Sequence, residues 1–338
     1  SGVRVDMRKV RAPQGHPTEG PHQPFMPAEV PEALAPLEGA RFVDGTFGAG
    51  GYSHGLLAAG ASVVAIDRDP GVLPFADALK AEFGSRFSFA PGTFSMLDSL
   101  AGDLPVDGVV LDIGVSSMQV DEAARGFSFL RDGPLDMRMS GQGESAADLV
   151  NALDEADLAN LLYAYGEERK SRRIAHVIAA ARAEAPIRTT GELARLIEKA
   201  IGRKPGDPHP ATRSFQALRI AVNDELGQLV EGLFAAERLL PAGGRLAVVA
   251  FHSLEDRVVK RFLDPEKGAA QQSRHLPQAR PAEPRWLALA KPRKAGPAEL
   301  ARNSRARSPI LRSARRSPAP PRPLSTAGLG LPVVRGAA

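Results

Sequence analysis

Cysteine is absent from this chain of 338 residues, and long apolar runs are absent as well. Without thiols the chain forms neither a disulfide bond nor a thiolate metal site. There is no apolar run of membrane-spanning length and no signal-peptide pattern, so we expect a soluble cytoplasmic protein without a membrane partner. No spacing of histidines and carboxylates resembles a zinc site, and we therefore expect no metal ion.

Acidic residues are scarce in the last fifth of the chain, where basic residues accumulate. Residues 266–338 contain fifteen Lys or Arg and three Asp or Glu, whereas residues 1–265 contain 28 basic and 36 acidic ones. Such a segment can steer a polyanion toward the protein. Its proline content is equally typical of a solvated tail, and we expect residues 317–338 to be disordered. Residues 1–21 lack periodicity, which predicts a flexible arm.

The stretch from Phe42 to Tyr52 combines an apolar start, an aspartate and four glycines. This order is typical of a strand that leads through a glycine-rich turn into a helix, because glycine lets a ligand approach the bare backbone. A second apolar run ends in Asp67, 22 residues after Gly45. An acid at about this spacing binds ribose hydroxyls in nucleotide-type folds. The alternative is an ordinary tight loop of an α/β protein.

Short apolar runs alternate with helical patterns in the first third of the chain and recur near residue 250. We predict strands over residues 41–44, 63–67, 86–89, 106–113 and 245–251, with helices over 52–59 and 71–83. This alternation predicts an α/β fold with a mostly parallel, Rossmann-like sheet covered by helices on both faces. Residues 286–290 and 308–312 are predicted to form an antiparallel pair at the sheet edge.

Residues 117–206 contain no convincing buried strand, and their apolar residues recur at helical spacing. Ser145 and Thr189 are suited to cap helices in this region. The pattern therefore predicts a helical insertion of about ninety residues. A single long helix is predicted over residues 211–240, where apolar residues recur at spacings of three, four and seven.

Two cofactors fit a site at the carboxyl ends of parallel strands, where ligands of such sheets bind. A dinucleotide favours Gly-x-Gly-x-x-Gly, but Ser53 stands where the third glycine belongs. S-adenosylmethionine has no phosphate and presents an ammonium group, which Asp44 and Asp112 could face from two strand ends. These residues favour S-adenosylmethionine and leave an NAD-dependent enzyme as the weaker alternative.

Seven strings of residues stand in order between residues 44 and 257. They are Asp44-Gly-Thr-Phe-Gly-x-Gly-Gly, Ala65-Ile-Asp-Arg-Asp-Pro, Leu111-Asp-Ile-Gly-Val-Ser-Ser, Arg125-Gly-Phe-Ser-Phe-Leu-Arg-Asp-Gly-Pro-Leu-Asp-Met-Arg, Tyr165-Gly-Glu-Glu-Arg, His209-Pro-Ala-Thr-Arg and Ser253-Leu-Glu-Asp-Arg. In these strings the chain resembles the MraW (RsmH) family of 16S ribosomal RNA cytosine-N4 methyltransferases. The resemblance covers about residues 22 to 316, and the strings are long and specific.

The resemblance implies a class I S-adenosylmethionine-dependent methyltransferase fold with a mostly parallel, seven-stranded sheet. It implies a methyltransferase domain of residues 22–116 and 207–316, and an RNA-recognising helical insertion of residues 117–206. The implied reaction is methylation of N4 of a decoding-centre (P-site) cytidine in 16S ribosomal RNA. The implied partner is that RNA or the small ribosomal subunit, and a homodimer stays open.

Family residues can be carried over by matching position. Contacts to S-adenosylmethionine fall on Gly50, Gly51, Tyr52, Asp67, Phe94, Asp112 and Gln119. The family often has His where this chain has Tyr52, a change that a backbone contact survives. Without family knowledge, a core role for Phe94 is the simpler interpretation.

The catalytic hydrogen-bond acceptor is not identified by a motif. Many amino methyltransferases have a Pro-Pro-aromatic loop after the fourth strand, but residues 114–117 here are Gly-Val-Ser-Ser. The candidate acceptors are Asp112, Ser117 and His252, although a structural hydrogen bond explains His252 equally well. Candidate RNA contacts are Asp136, Arg138, Arg169 and Arg213. A DNA or protein amino methyltransferase and a noncatalytic RNA-binding ribosome-assembly factor are the alternative functions.

Overall fold

The protein, a computed structural model, is described over residues 24–266, 283–297, 299 and 309–334, which leaves the predicted arm of residues 1–21 outside. Eight strands form one mixed sheet in the order β3-β2-β1-β4-β5-β8-β6, with β7 pairing beside β6 on β8. Strands β1 to β5 are parallel, and β8 is antiparallel to β5. The strands are β1 Arg41–Asp44, β2 Ser62–Asp67, β3 Phe87–Pro91, β4 Gly108–Asp112, β5 Arg245–Ala250, β6 Trp286–Leu287, β7 Arg293–Lys294 and β8 Ile310–Arg316.

Twelve α-helices accompany the sheet in the described part of the chain, where no helix is long and apolar enough to cross a membrane. They are α1 Glu29–Leu34, α2 Gly51–Ala58, α3 Leu73–Phe83, α4 Leu97–Leu100, α5 Ser117–Asp121, α6 Ala146–Ala152, α7 Glu155–Gly166, α8 Ser171–Glu184, α9 Thr190–Ile201, α10 Thr212–Val222, α11 Glu225–Leu239 and α12 Ser253–Leu263. Ser145 caps α6 as predicted, since its side chain accepts from the Asp148 N–H and Asp148 binds the Ser145 N–H in return.

The central strands bury side chains on both faces, as the two-residue period of a strand requires. Val43 and Val109 lie in a buried cluster with residues of α4, α11 and α12. Their chain neighbours Phe42 and Val110 lie in a second cluster, with residues of α1, α2 and α3. Each fully buried large side chain contributes about 1.5–3 kcal/mol. The prediction of a mostly parallel sheet covered on both faces is therefore confirmed.

The outer strands differ from the prediction in their bounds and position. The expected antiparallel pairing holds, with Trp286 opposite Arg316. However, β8 lies between β5 and β6 rather than at the edge, and it extends to Arg316. The sheet has eight strands, whereas the resemblance implied seven. The additional strand is the two-residue β7, which pairs with β8 on the same side as β6.

The helices α6 to α10 form a body of their own. Leu158, Ile174, Leu193 and Phe215 are buried together in a third cluster that contains no residue of the sheet. Phe215 belongs to α10, which lies beyond the predicted end of the insertion at residue 206. We therefore propose that the helical unit extends to residue 222.

The single helix predicted over residues 211–240 is wrong, because the chain breaks between α10 and α11. Asp224 has a left-handed backbone with φ of 47°. The preceding Asn223 accepts from the Met139 N–H at 2.9 Å and donates to the Met137 carbonyl at 2.8 Å. The break thus lets one side chain fasten the loop before α6, a contact that apolar periodicity does not reveal.

The prediction of disorder is wrong for residues 317–334, the part of the tail that the structure describes. Arg322 donates to Glu237 of α11 from its backbone N–H at 2.8 Å and from its guanidinium at 2.6 Å. Its guanidinium carbon lies 4.6 Å from the ring centre of Phe262. Glu237 is fully buried and also accepts from Trp286 Nε1 at 2.9 Å. This ion pair anchors the tail to the helices over the sheet.

Gly166 of α7 tests how closely α7 and α10 pack, and Gly55 of α2 serves as the control. A Cβ atom at Gly166 would lie 2.4 Å from the Arg213 carbonyl oxygen, whereas one at Gly55 would have no atom within 4 Å. We expect G166A to lower the free energy of unfolding by about 1–3 kcal/mol, because the two helices must separate. The control G55A should raise it by about 0.5–1 kcal/mol, because alanine favours the helix. Urea denaturation measures both changes, and equal effects would contradict the close packing.

Candidate active site at the carboxyl edge of the sheet

The glycine-rich turn joins β1 to α2, and its glycines leave much of the turn backbone without side chains to cover it. Gly50 has φ of 84°, and a Cβ there would lie 2.9 Å from the Phe47 ring. A Cβ at Gly45 would lie 2.5 Å from the Leu111 side chain. The Gly48 N–H donates to Asp67 Oδ2 at 2.8 Å, which fastens the turn to the end of β2. Only glycine fits at these close approaches and left-handed positions.

Three carboxyl groups lie at the ends of β1, β2 and β4. Asp44 is fully buried and accepts from the Thr46 N–H at 3.1 Å and from Ser53 Oγ at 2.7 Å. Asp67 accepts from the backbone N–H groups of Gly48 and Asp69. Across the described residues, the Asp112 carboxylate makes no hydrogen bond, and its N–H donates to Thr46 Oγ1 at 2.6 Å. Asp44 and Asp67 thus accept two hydrogen bonds each, whereas the Asp112 carboxylate accepts none from the described residues.

The negative charge of Asp44 and Asp112 is not compensated by an ion pair among the described residues. Burial raises the pKa of Asp44 to about 6, with a smaller contribution from the charge of Asp67. Burial raises the pKa of Asp112 well above its usual range, and Asp44 and Glu255 raise it further. No cationic side chain of the described residues is among the groups acting on Asp44 or Asp112. The pair therefore favours a positively charged ligand.

Tyr52 and Gly51 begin α2, and both support the segment that precedes α1. The buried Tyr52 hydroxyl donates to the Phe25 carbonyl at 2.7 Å, and a Cβ at Gly51 would lie 2.7 Å from Pro24. The Tyr52 side chain is therefore already engaged. What these two residues can offer a ligand is the backbone N–H groups of the first helical turn, which lack acceptors within the helix.

Phe94 follows β3 and lies between the glycine turn and α11. A Cβ at Gly45 would lie 3.0 Å from the Phe94 Cβ, and one at Gly232 would lie 2.4 Å from the Phe94 ring. Phe94 also packs against the buried cluster beneath the sheet. The ring is thus partly a core residue, while its position beside the turn is compatible with lining an adenine slot.

Gln119 holds two loops together. Its amide donates to Asp69 Oδ2 at 2.8 Å, and its side-chain oxygen accepts from the Ser116 N–H to complete a capping box at the start of α5. Asp69 is 2% exposed and also accepts from both terminal nitrogens of Arg125. Gln119 therefore joins the loop after β4 to the loop after β2. Its contact with the cofactor stays a prediction.

Val249 of β5 lies opposite Asp112 in the sheet, and His252 and Glu255 follow β5 at the start of α12. Glu255 is fully buried and accepts from the Phe251 N–H at 3.0 Å. Its second oxygen lies 2.9 Å from His252 Nε2, within ion-pair distance but outside hydrogen-bond geometry. Burial alone would raise the pKa of Glu255, but His252 and Arg219 together lower it below its usual value. Ser117 begins α5 nearby, and its side chain lies outside the described atoms.

The candidate RNA contacts fall in two places. Asp136 and Arg138 pair with each other, with Arg138 Nε donating to Asp136 Oδ1 at 2.7 Å. Arg169 and Arg213 instead line a cleft of about 880 Å³ together with Arg257 of α12. The structure therefore brings three arginines together in one cleft, and the Asp136–Arg138 pair does not line that cleft.

Three residues that the structure brings into the site were not predicted as site residues. They are Asp69, which holds Gln119 and Arg125, Glu255, which faces His252, and Arg257, which lines the cleft. Each stands inside a string that carries the resemblance, at residues 65–70 or 253–257. Their position in those strings was the available signal. Gln119, the partner of Asp69, lies 50 residues further along the chain, whereas His252 lies three residues before Glu255.

The sequence matches the model of the MraW methylase family over residues 19–317. The chain belongs to the MraW methylase family. Among its relatives, ribosomal RNA small subunit methyltransferase H of Chelativorans sp. is 56% identical over 301 residues, covering 89% of this chain and 88% of the relative. The protein of the same name from Cereibacter sphaeroides is 56% identical over 318 residues, covering 93% and 96%.

Solved structures resemble this MraW methylase only weakly. An rRNA methylase from Streptococcus thermophilus is 12% identical with a TM-score of 0.38, over 88% of this chain and 98% of that one. A putative methyltransferase from Streptococcus mutans in complex with SAH is 9% identical with a TM-score of 0.36, over 86% and 97%. At these TM-scores the superpositions support no conclusion. Strand order and family membership make the fold that of a class I methyltransferase.

The cofactor of this methylase is S-adenosylmethionine, which carries a sulfonium and an ammonium group. The uncompensated pair of Asp44 and Asp112 suits these positive charges. A Cβ added at Gly48 would meet no atom closer than 3.9 Å, so the turn leaves open space there. We propose that Asp67, whose oxygens each keep a free lone pair, accepts from the ribose hydroxyls.

The affinity for S-adenosylmethionine should depend on pH in the range set by Asp44. Below a pKa of about 6 Asp44 is protonated in the free protein, so a cationic ligand must displace that proton. We therefore expect the affinity to fall as the pH drops from 7.5 to 5, with release of protons on binding. Titration calorimetry in buffers of different ionisation enthalpy measures both quantities. Asp44→Asn should make the dependence less steep and leave the part that Asp112 contributes, whereas an identical pH profile in the variant would exclude Asp44 as a source.

Proposed function

We propose that this protein transfers a methyl group from S-adenosylmethionine to N4 of a P-site cytidine in the decoding centre of 16S ribosomal RNA. Two relatives at 56% identity are ribosomal RNA small subunit methyltransferases by name, which supports this substrate class. The specific base and atom come from the family resemblance of the seven strings. The substrate is thus ribosomal RNA or the small subunit.

One structural observation carries the proposal, namely that two different sites meet at the start of α12. Asp112 lies opposite Val249 of β5, the strand that leads into α12, and the charge of Glu255 in the first turn of that helix raises the pKa of Asp112. Arg257, two residues after Glu255, lines the cleft with Arg169 and Arg213. A cofactor site and a basic cleft for a polyanion are therefore adjacent, as methylation of RNA requires.

The cytosine amine is a weak nucleophile, because its lone pair is delocalised into the ring. S-adenosylmethionine supplies an electrophilic methyl group when bound. The protein must orient the amine and accept its N–H hydrogen bonds as the nitrogen becomes tetrahedral. Orientation of two reactants contributes up to about 7–11 kcal/mol.

His252 is the acceptor that the contacts favour. Its Nδ1 is buried without a hydrogen-bond partner among the described residues, while Nε2 faces Glu255 at 2.9 Å. A carboxylate beside Nε2 favours a proton on that nitrogen and leaves Nδ1 as an acceptor. Asp112 also has an unpartnered carboxylate, but we assign it to the charge of the cofactor.

A paired cytosine cannot present its N4 lone pair to a methyl donor, because the amine is held in the base pair. We therefore infer that the RNA is bound in an open or single-stranded conformation, or that the base is flipped out. A cleft of about 880 Å³ with three arginines suits an extended RNA backbone.

A noncatalytic RNA-binding assembly factor is the second candidate, favoured by the same basic cleft. The two functions separate in one experiment with radiolabelled S-adenosylmethionine and small subunits from cells that lack the mark. We expect label in 16S RNA, and mass mapping should place it on N4 of one cytidine. Cofactor binding without label in any small-subunit RNA would contradict the enzymatic function, and label at C5 or ribose would contradict the target atom.

His252→Phe should separate catalysis from binding in the same assay. Because phenylalanine keeps a planar ring but has no nitrogen to accept a hydrogen bond, we expect methyl transfer to slow by about a hundredfold or more. The affinities for cofactor and RNA should stay unchanged. Unaltered methyl transfer would exclude His252 as the acceptor and return the role to Asp112 or Ser117.

A further inference from the structure

The last described residues of the tail cross from the sheet to the helical unit. Leu329 is 4% exposed and belongs to the cluster under the sheet. Leu331 packs against a small cluster of Ile220, Leu226 and Leu254, which joins α10, α11 and α12. Val334 packs against the cluster of the helical unit. Residues 329–334, called the strap below, therefore contact both bodies of the protein.

The strap lies directly on the basic side chains of α12. A Cβ at Gly330, which has φ of 75°, would lie 2.9 Å from Arg257 Nε and 2.7 Å from an Arg261 terminal nitrogen. The positive φ favours glycine here, and a larger residue would push the two arginine side chains aside. Arg257 Nε is buried without a hydrogen-bond partner among the described residues. The strap thus restricts where Arg257 can point while leaving its donor capacity unused.

The strap also lines the cleft of Arg169, Arg213 and Arg257, through Pro332 and Val333. Glu167, the acidic residue of that lining, accepts from Ser253 Oγ at 3.1 and 3.2 Å. Val333 is 84% exposed, so its side chain adds little to the fold. The cleft is therefore a cationic surface with one apolar wall that comes from the tail.

We propose that the strap is part of the RNA-binding site, where it forms one wall of the cleft and positions Arg257 toward a phosphodiester of single-stranded RNA. This inference rests on the proposed function, because it needs an RNA substrate. An apolar wall beside arginines matches the two demands of a single strand, whose bases are apolar on their faces and whose backbone is anionic. The anchor of Arg322 on Glu237 keeps the strap in reach of the cleft.

Charge at residue 333 tests the wall without disturbing the fold. The probe is a fluorescein-labelled oligocytidylate of about twelve nucleotides, followed by anisotropy. We expect Val333→Asp to weaken binding by about threefold to tenfold and Val333→Lys to strengthen it by a similar factor. The lysine variant should also steepen the salt dependence by about 0.7 per logarithmic unit of salt. The affinity for S-adenosylmethionine should not change in either variant.

Leu104 provides the matched control, because it is 61% exposed and precedes β4, at the amino ends of the parallel strands and away from their carboxyl ends. Leu104→Asp and Leu104→Lys carry the same charge changes and should leave binding of the probe unchanged. A truncation after Ser325 keeps the Arg322 anchor and should weaken RNA binding at least as much as Val333→Asp. If the Val333 variants bind like the wild type, or if the Leu104 variants shift binding equally, the strap has no role, although the proposed function survives. If the wild-type protein does not bind the probe, the role of the strap is contradicted, whereas the proposed function is contradicted only if no small-subunit RNA is methylated.

Discussion

The burial of Asp44 at the end of the first strand is the constraint on which the rest of the site depends. One carboxylate accepts from Thr46 in the glycine turn and from Ser53 in α2, and Thr46 in turn accepts from Asp112 on β4. These bonds fix the turn against two strands. They lower the cost of burying the charge only in part, because the pKa of Asp44 is still raised to about 6. The remaining demand for positive charge is what suits the site to a sulfonium cofactor.

A second level of organisation joins this cofactor edge to the helical unit. Helix α12 follows the carboxyl end of β5, so the charge of Glu255 acts on Asp112 while Arg257 lines the cleft. Ser253 binds Glu167 at the end of α7, and the strap runs over the same helix. A parallel sheet thereby places the groups that we propose for catalysis and for RNA binding at one short helix. The helical unit and the tail complete the cleft that the sheet alone lacks.

Sequence reasoning succeeded where local periodicity decides the structure. The bounds of β1 match the prediction. Asp67 and Asp112 are the last residues of their strands, and because these strands are parallel, both residues lie at the same edge of the sheet. It failed where a distant partner decides. Asn223 breaks a helix to hold a loop about eighty residues earlier, and Arg322 orders a proline-rich tail through Glu237. Gln119 was expected at the cofactor, and its bond to Asp69 was not visible in any spacing.

The central claim is that Asp44 and Asp112 hold the positive charge of the cofactor. Carbon-13 NMR of labelled aspartate carboxyls, followed through a pH titration with and without S-adenosylmethionine, tests it most directly. In the free protein we predict that Asp44 titrates near its raised pKa of about 6 and that Asp112 titrates well above the usual range. With the cofactor bound, both pKa values should fall, because a nearby cation favours the ionised form. Titration curves that are unchanged by the cofactor would contradict the account.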